Sequence, residues 1–460
     1  MQLKKKLQAK VQKFLEGPAV QKLRQSAPVR IVGRGIAVCQ AHPFPTAMLL
    51  LLLYRLALDL LYLTTLSPLF EYTGYTTELM PLPYLTSWAA LLVFVPFVAG
   101  LIGRTGASSL LVTFINYFYF IPITSYFGCK GTVEIWFFII TLVYWALLLF
   151  WQYRIPVLYL KPLSKRQVKV VMVILTVVSC LLVFLISGKY TGFRFTLNFL
   201  DVYGIREEAT SYRMPAVVSY LLSMMPIILT TLFLFWLRQK RYVPAVILGV
   251  TYIFLFSISA HKSVFFFFFL AILCFFFLRR WMLNWAPGLL AVLAGTAMLE
   301  YRGIGTFYLM SLFFRRMMYV PGSISERYLK FFSENPINFF RNGIMGKFHF
   351  KSIYSTGIAR LLGEFCGNPD TNANNGLLGD MFANLPILLG LLLMPLLLIL
   401  CFRLMDLATE KVPLKYLVPF CVFFASAFMN GSWGTVLLTH GFLVACLLLY
   451  IFPREEGLSQ

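Results

Sequence analysis

The chain is predicted to be an all-α polytopic membrane protein of about twelve transmembrane helices. Three observations predict this. Of 460 residues, 59% are hydrophobic and 13% are charged, whereas a soluble chain carries about 25% charged residues. Mean hydropathy is +0.78. Apolar runs of roughly 20 residues, the length that crosses a bilayer, recur along the chain without an interval long enough for a soluble core.

The runs fall near 46–66, 85–103, 107–124, 134–152, 169–187, 214–237, 243–260, 263–279, 283–300, 380–403, 415–431 and 435–452. The pair at 243–279 is the least separated, with only His261, Lys262 and Ser263 between its halves. The first run begins too far in for a cleavable signal peptide, so it reads as a retained span. The chain thus divides into a basic arm over 1–45, nine spans over 46–300, a large outside segment over 301–379, three spans over 380–452 and a tail over 453–460.

The charge balance is 40 Lys and Arg against 18 Asp and Glu, a net +22. Such an excess is often a nucleic-acid footprint, but here topology explains much of it, though not all. With the N-terminus inside, every inner connector is basic: Arg104; Arg154, Lys161, Lys165, Arg166 and Lys169; Arg238, Lys240 and Arg241; Arg279 and Arg280; Arg403, Lys411 and Lys415; Arg454. Positive connectors hold the cytoplasmic side, and an even count places both termini there. In the arm, Leu3, Leu7, Val11, Phe14 and Leu15 recur at helical spacing among lysines, which predicts an amphipathic helix on an anionic leaflet.

Eight cysteines show no CxxC and no Cys/His spacing of a metal site. Five lie in apolar runs. Cys129 and Cys366 fall in outside loops, where a disulfide between them is conceivable.

Two outside segments break the charge rule. The segment about 188–213 holds Lys189, Arg194, Arg206 and Arg213 beside Asp201, Glu207 and Glu208. The segment 301–379 holds Arg302, Arg315, Arg316, Arg327, Lys330, Arg341, Lys347, Lys351 and Arg360, with fewer acids. A solvated surface accounts for any single lysine. The arginines differ, because they lie among aromatics in FYLMSLFFRRMMYVP and RYLKFFSENPINFFRN, a pattern that predicts interfacial helices. Arg matches phosphate oxygens in pairs. At an effective dielectric near 20, one contact at 4 Å is worth about 4 kcal/mol before desolvation. Arg194, Arg206, Arg213, Lys262, Arg302, Arg315, Arg316, Arg327 and Arg360 are therefore the candidate diphosphate-binding residues. Ordinary phospholipid headgroups are the alternative anions.

The large segment ends in GNPDTNANNGLLGDMFANL. Asn372, Asn374 and Asn375 suit sugar hydroxyls. Asp380 is an acid at the membrane boundary, or simply a helix N-terminal residue favoured by the dipole.

The tract NANNGLLGDMFANLPILLGLLLMPLLL resembles that of bacterial oligosaccharide repeat-unit polymerases, the Wzy-type O-antigen and capsule polymerases. RRMMYVPGSISERYLKFFSENP is similar to the family's basic, aromatic loop. DVYGIREEA and GSWGTVLLTHGFL are also similar to family segments. The resemblance covers about the C-terminal two-thirds; the long basic arm departs from it. It implies a C-type membrane glycosyltransferase fold with interfacial helices in the large loop. It also implies the reaction. On the outer face of the cytoplasmic membrane, a growing chain passes from undecaprenyl diphosphate onto an incoming lipid-linked unit, without cofactor or metal. The implied partners are the lipid-linked oligosaccharide, membrane lipid and a chain-length regulator, and not nucleic acid.

The residues agree with that chemistry on their own terms. A diphosphate leaving group needs fixed positive charge, and an acceptor hydroxyl needs orientation and a base. Asp380, Glu364 and His349 are the catalytic candidates, with Asp201 and Glu300 behind them. His349, between Lys347 and Lys351, reads equally as a packed loop histidine. His261 and Lys262 face a cavity or snorkel to the interface. His440, inside the last span, is a functional candidate by position or a hydrogen-bonded packing residue. Arg55 and Asp59, four apart in the first span, are expected to pair with each other.

Three rival readings stand. A flippase of lipid-linked saccharide needs cations deep within the spans and internal repeats. A membrane O-acyltransferase needs a His and Asn pair, which His440 and Asn430 match poorly. An O-antigen ligase shares fold and donor with the polymerase.

Overall fold

The computed structural model describes residues 41–161, 163–196, 202–259, 262–343, 346, 349–369 and 371–454. The amphipathic helix expected in the arm lies outside them, as do Asp201, His261 and Lys347.

The described residues form helices and no strand. In chain order these are α1 (Pro43–Leu61), a π segment π1 (Tyr62–Leu66), α2 (Ser67–Phe70), α3 (Pro81–Ala99), α4 (Ala107–Ile115), π2 (Asn116–Phe120), α5 (Ile121–Lys130), α6 (Ile135–Arg154), α7 (Lys165–Thr191) and α8 (Val202–Ser211). Then come α9 (Ala216–Arg238), α10 (Tyr242–Ser259), α11 (Lys262–Phe277), α12 (Arg280–Asn284), α13 (Ala286–Ile304), π3 (Met310–Tyr319), α14 (Val320–Glu334) and α15 (Ile358–Phe365). The chain ends with α16 (Leu378–Asn384), α17 (Ile387–Thr409), α18 (Leu414–Asn430), α19 (Trp433–Leu438) and α20 (Phe442–Ile451).

Proline opens many of these helices. It stands in the first turn of α1 and α3 and just before α9, α17 and α18. There its missing N–H removes no helical bond and its fixed φ suits helix entry. Ser164 and Gln167 form a capping box at the start of α7.

Among the described residues eight helical runs are long and apolar enough to cross a bilayer, which makes this a polytopic membrane protein. Shorter apolar helices cover Tyr242–Ile258, Val264–Phe277 and Leu414–Asn430. The apolar stretch within Ala107–Lys130 is 100% buried, against 28% of that within Arg166–Thr191. The first is therefore the central helix, and the second is rim whose apolar side chains face outward. Around the centre, α1 packs on α13, α17 on α6, α18 on α4 and α3 on α5; α7, α9 and α10 pack on one another, and α9 joins them to α20 and α11.

The predicted inner connectors meet at one end of the bundle. Leu160 N–H bonds the Leu407 carbonyl at 3.2 Å. Arg238 donates to the Pro453 and Arg454 carbonyls, and Arg454 donates to that of Ala408. Arg403, read as one more connector charge, is instead 8% exposed and ion-paired to Asp406 at 2.9 Å. It also donates to the Gln152 and Ile155 carbonyls, while Asp406 accepts the Ser108 N–H at the start of α4.

Arg55 and Asp59 pair as expected, at 3.0 Å and almost fully buried. Asp59 also accepts from Tyr84, Trp88 and Ser125, and Arg55 Nη2 donates to Ser87 and the Thr124 carbonyl, while Arg55 Nη1 is buried with no hydrogen-bond partner among the described residues.

One boundary needs correction, and one open pairing is decided. The span expected from residue 380 begins at Ile387; Asn384 ends a separate helix and Pro386 caps the next, because the residue before a proline is pushed out of helical geometry. Cys129 and Cys366 are free thiols rather than a disulfide: the Cys129 sulfur lies buried against Asp59 Oδ1 at 3.6 Å.

The π segments are the feature least visible in the sequence. Each is followed, two residues after its last, by a proline: Pro68, Pro122 and Pro321. Proline donates no N–H and crowds the carbonyl four residues back, and a widened turn relieves that clash. Pro96, Pro226, Pro395 and Pro419 sit inside α-helices with no π segment, so proline permits the widening without dictating it. The third π segment packs against the other two. The Tyr62 and Tyr319 rings lie 5.6 Å apart and those of Phe118 and Phe313 6.3 Å apart, so π3 touches both others; Tyr54 of α1 donates to the Tyr117 carbonyl of π2.

Candidate functional site

At the end of the bundle opposite the basic connectors, four elements bring charge together. The chain leaving α2 supplies Phe70, Thr73 and Tyr75, the end of α5 supplies Tyr126 and Lys130, π3 supplies Arg315, and α14 supplies Ser323, Glu326 and Arg327.

Arg315 lies with its guanidinium carbon 4.4 Å from the Phe70 ring centroid, and its Nε is buried without a hydrogen-bond partner among the described residues. The aromatic face holds the cation in place but satisfies none of its N–H groups. Arg327 donates to the Thr73 carbonyl at 2.9 Å. The next residue, Gly74, has φ +94°, and a Cβ there would meet Arg327 Nη2 at 3.3 Å, so glycine serves both the turn and the close approach.

Tyr75 sits between the two arginines. Burial pushes its hydroxyl up to about 12, and Arg315 and Arg327 pull against that rise. Glu326 Oε2 accepts the Tyr126 hydroxyl at 2.6 Å and Lys130 Nζ at 3.3 Å. Lys130 also donates to the Tyr126 oxygen at 2.8 Å and lies over that ring. Glu326 Oε1 carries no hydrogen bond among the described residues.

Beside this cluster, α16 packs on α14 and carries the GLLGD tract. Asn375 is 5% exposed. Its amide donates to the Pro321 carbonyl, and its oxygen accepts from Ser325 and the Gly379 N–H. A Cβ on Gly376 would overlap the Phe428 carbonyl, and one on Gly379 would overlap Asn375. The small residues of this tract are thus set by close packing. Asp380 points inward: Oδ1 accepts from Asn384 at 2.9 Å and Oδ2 from the Trp433 N–H at 2.7 Å. Burial pushes its carboxyl up to about 6 in spite of those bonds.

The other predicted residues are dispersed. Arg194 pairs with Glu208 and donates to the Ser257 carbonyl; Tyr212 and Arg194 hold the Glu208 carboxyl below the usual range. Arg206 is half-buried on α8, while Arg213, Arg302 and Arg316 are exposed. Arg360 and Glu364 form an exposed pair on α15 at 3.7 Å, a contact of little energetic weight. His349 is exposed with φ +68°. Asn372 and Asn374 are exposed. Lys262 opens α11, and its side chain lies outside the described residues. Glu300 accepts from Thr306, Tyr308 N–H and Leu309 N–H at the start of π3. His440 is half-buried between α19 and α20.

Of the predicted residues, then, Arg315 and Arg327 come together, with Asn375 and Asp380 packed nearby as structural ties. Lys130, Tyr126, Tyr75 and Glu326 do not stand out in the sequence. Only the four-residue spacing of Tyr126 and Lys130 at a helix end and the adjacency of Glu326 to Arg327 point to them. Among the described residues no three His, Cys, Asp or Glu side chains converge on a common metal position. No protein-family model, no curated protein and no solved structure matches the chain.

Proposed function

We propose that the protein is a membrane glycosyltransferase that polymerises oligosaccharide units carried on undecaprenyl diphosphate. In this reading it spans the cytoplasmic membrane twelve times with both termini inside. The growing chain is transferred onto the incoming unit at the outer face.

The observation that supports this best is Arg315. Its guanidinium, with a buried Nε that has no hydrogen-bond partner among the described residues, shares Tyr75 as a neighbour with Arg327, so two arginines meet with donor capacity to spare. Departure of undecaprenyl diphosphate puts negative charge on phosphate oxygens, and fixed donors aimed at that charge stabilise the transition state. The arginines lie at the end where topology does not call for them, a placement that favours an enzyme acting after translocation over a flippase.

Reconstitution of the purified protein in liposomes with lipid-linked repeat units tests the reading. A ladder of products with release of undecaprenyl diphosphate is expected. Translocation of single units without a ladder would make the protein a flippase instead.

A further inference from the structure

We infer that Glu326 is the general base that takes the proton from the acceptor hydroxyl, an inference that rests on the glycosyl-transfer reading above. Three observations carry it. Glu326 immediately precedes Arg327 on α14, so the acid and the cation leave the same helical turn into the same cluster. Its Oε2 is held from two sides, by Tyr126 at 2.6 Å and Lys130 at 3.3 Å, which fixes the carboxylate plane. Its Oε1 makes no hydrogen bond among the described residues and is left to meet a ligand. A base needs this combination of a fixed carboxylate and one open oxygen.

The other acids near α14 lack it. Asp380 has both oxygens bonded within the protein. Glu364 is on an exposed helix and pairs with Arg360.

In the transfer step the acceptor oxygen forms a bond to the anomeric carbon of the donor sugar. The bond from that carbon to the phosphate oxygen breaks, and undecaprenyl diphosphate leaves with the electron pair toward Arg315 and Arg327. The hydroxyl proton passes to Glu326 Oε1. The donor side and the acceptor side of the reaction are thereby divided between neighbouring residues.

The test uses the full chain in liposomes with lipid-linked repeat units, and undecaprenyl diphosphate alone as the binding probe. Glu326→Gln is expected to lower transfer by about 100-fold or more while binding undecaprenyl diphosphate as the parent does. The acid limb of the parent's pH–rate profile is expected to vanish in that variant. Glu326→Asp, which keeps a carboxylate, is expected to recover part of the rate and the limb. Transfer within about threefold of the parent in Glu326→Gln, or equal loss of probe binding and transfer, overturns the assignment. If Glu326→Gln does not fold, Glu326→Asp decides: an unchanged rate and profile there also overturn it. A parent that binds the probe but forms no glycosidic product fails the glycosyltransferase reading itself, and the base role with it.

Discussion

Asn375 accepts the Ser325 hydroxyl at 2.9 Å, and this bond joins the NANNG tract to α14. The same Ser325 oxygen lies 2.6 Å from the Tyr119 hydroxyl of π2, so one short chain of polar groups links the central helix, α14 and the tract. Asn375→Ala would remove three buried hydrogen bonds, to the Pro321 carbonyl and from Ser325 and the Gly379 N–H, although Ser325 still donates to the Pro321 carbonyl. Each such bond contributes about 1 kcal/mol net. We expect Asn375→Ala to lower the melting temperature of the detergent-purified protein clearly, and Asn372→Ala and Asn374→Ala, both exposed, to leave it unchanged. Thermal unfolding followed by size-exclusion chromatography measures the difference.

Arg315 and Arg316 are neighbours in sequence but not in environment, since the first is stacked on Phe70 and the second is exposed. Arg315→Ala is expected to abolish polymer while single lipid-linked units persist. Arg316→Ala is expected to leave chain length almost unchanged. Arg315→Lys is expected to fail as well, because an ammonium keeps the charge but loses the planar fork that stacks and binds oxygens in pairs. Gel ladders from cells carrying each variant separate the cases; long chains from Arg315→Ala would remove the diphosphate role.

The division between features that the residues announce and those that they do not has a physical basis. Apolar period and connector charge report on the solvent around each segment, so spans and their ends are legible, as is the Arg55–Asp59 pair from its four-residue spacing. The start of α17 lies seven residues beyond the point that hydropathy suggests, because hydropathy runs straight through Leu385–Pro386 while backbone geometry does not. Arg403 reads as topology in the sequence, since its partner carbonyls on α6 are some 250 positions away. Glu326 is inconspicuous for the same reason: Tyr126 and Lys130, which give it meaning, approach it only through the packing of α5 against α14.

The Arg403–Asp406 pair should behave as a structural lock independent of any activity. Removing one partner of a buried pair strands the other charge and costs about 3–5 kcal/mol. Arg403→Ala and Asp406→Ala are each expected to reduce folded protein sharply. The double variant should lose less than the sum of the two, since neither charge is then stranded. Strictly additive losses in thermal unfolding would show that the two residues act separately.

Asp380 gives the fold a pH dependence with a definite sign. Its folded carboxyl titrates near 6 against an ordinary value near 4. The folded state therefore holds the proton more tightly than the unfolded chain does. Its contribution to stability is full below pH 4, declines as pH rises through 6, and is absent above that. Two units correspond to about 3 kcal/mol. Asp380→Asn, which mimics the protonated form, is expected to flatten the melting temperature between pH 4 and 7. A parental slope retained in that variant would mean that another group titrates.

Pro321 tests whether the widened helix positions the cation cluster. An alanine there would restore an N–H that can reach the Met317 carbonyl and remove the ring clash that favours the π turn. A π turn holds one residue more than an α turn, and closing it would rotate the preceding helix by about 100° relative to the helix beyond it. Arg315 would then swing off Phe70 while Glu326 and Arg327, beyond the proline, stay in place. We expect Pro321→Ala to fold to parental levels yet lose affinity for undecaprenyl diphosphate by about tenfold or more, the loss of one charge-assisted contact. Pro226→Ala, in a helix without a π segment, serves as the control and should leave binding unchanged. Parental affinity in Pro321→Ala would mean that Arg315 reaches its ligand without help from the π turn.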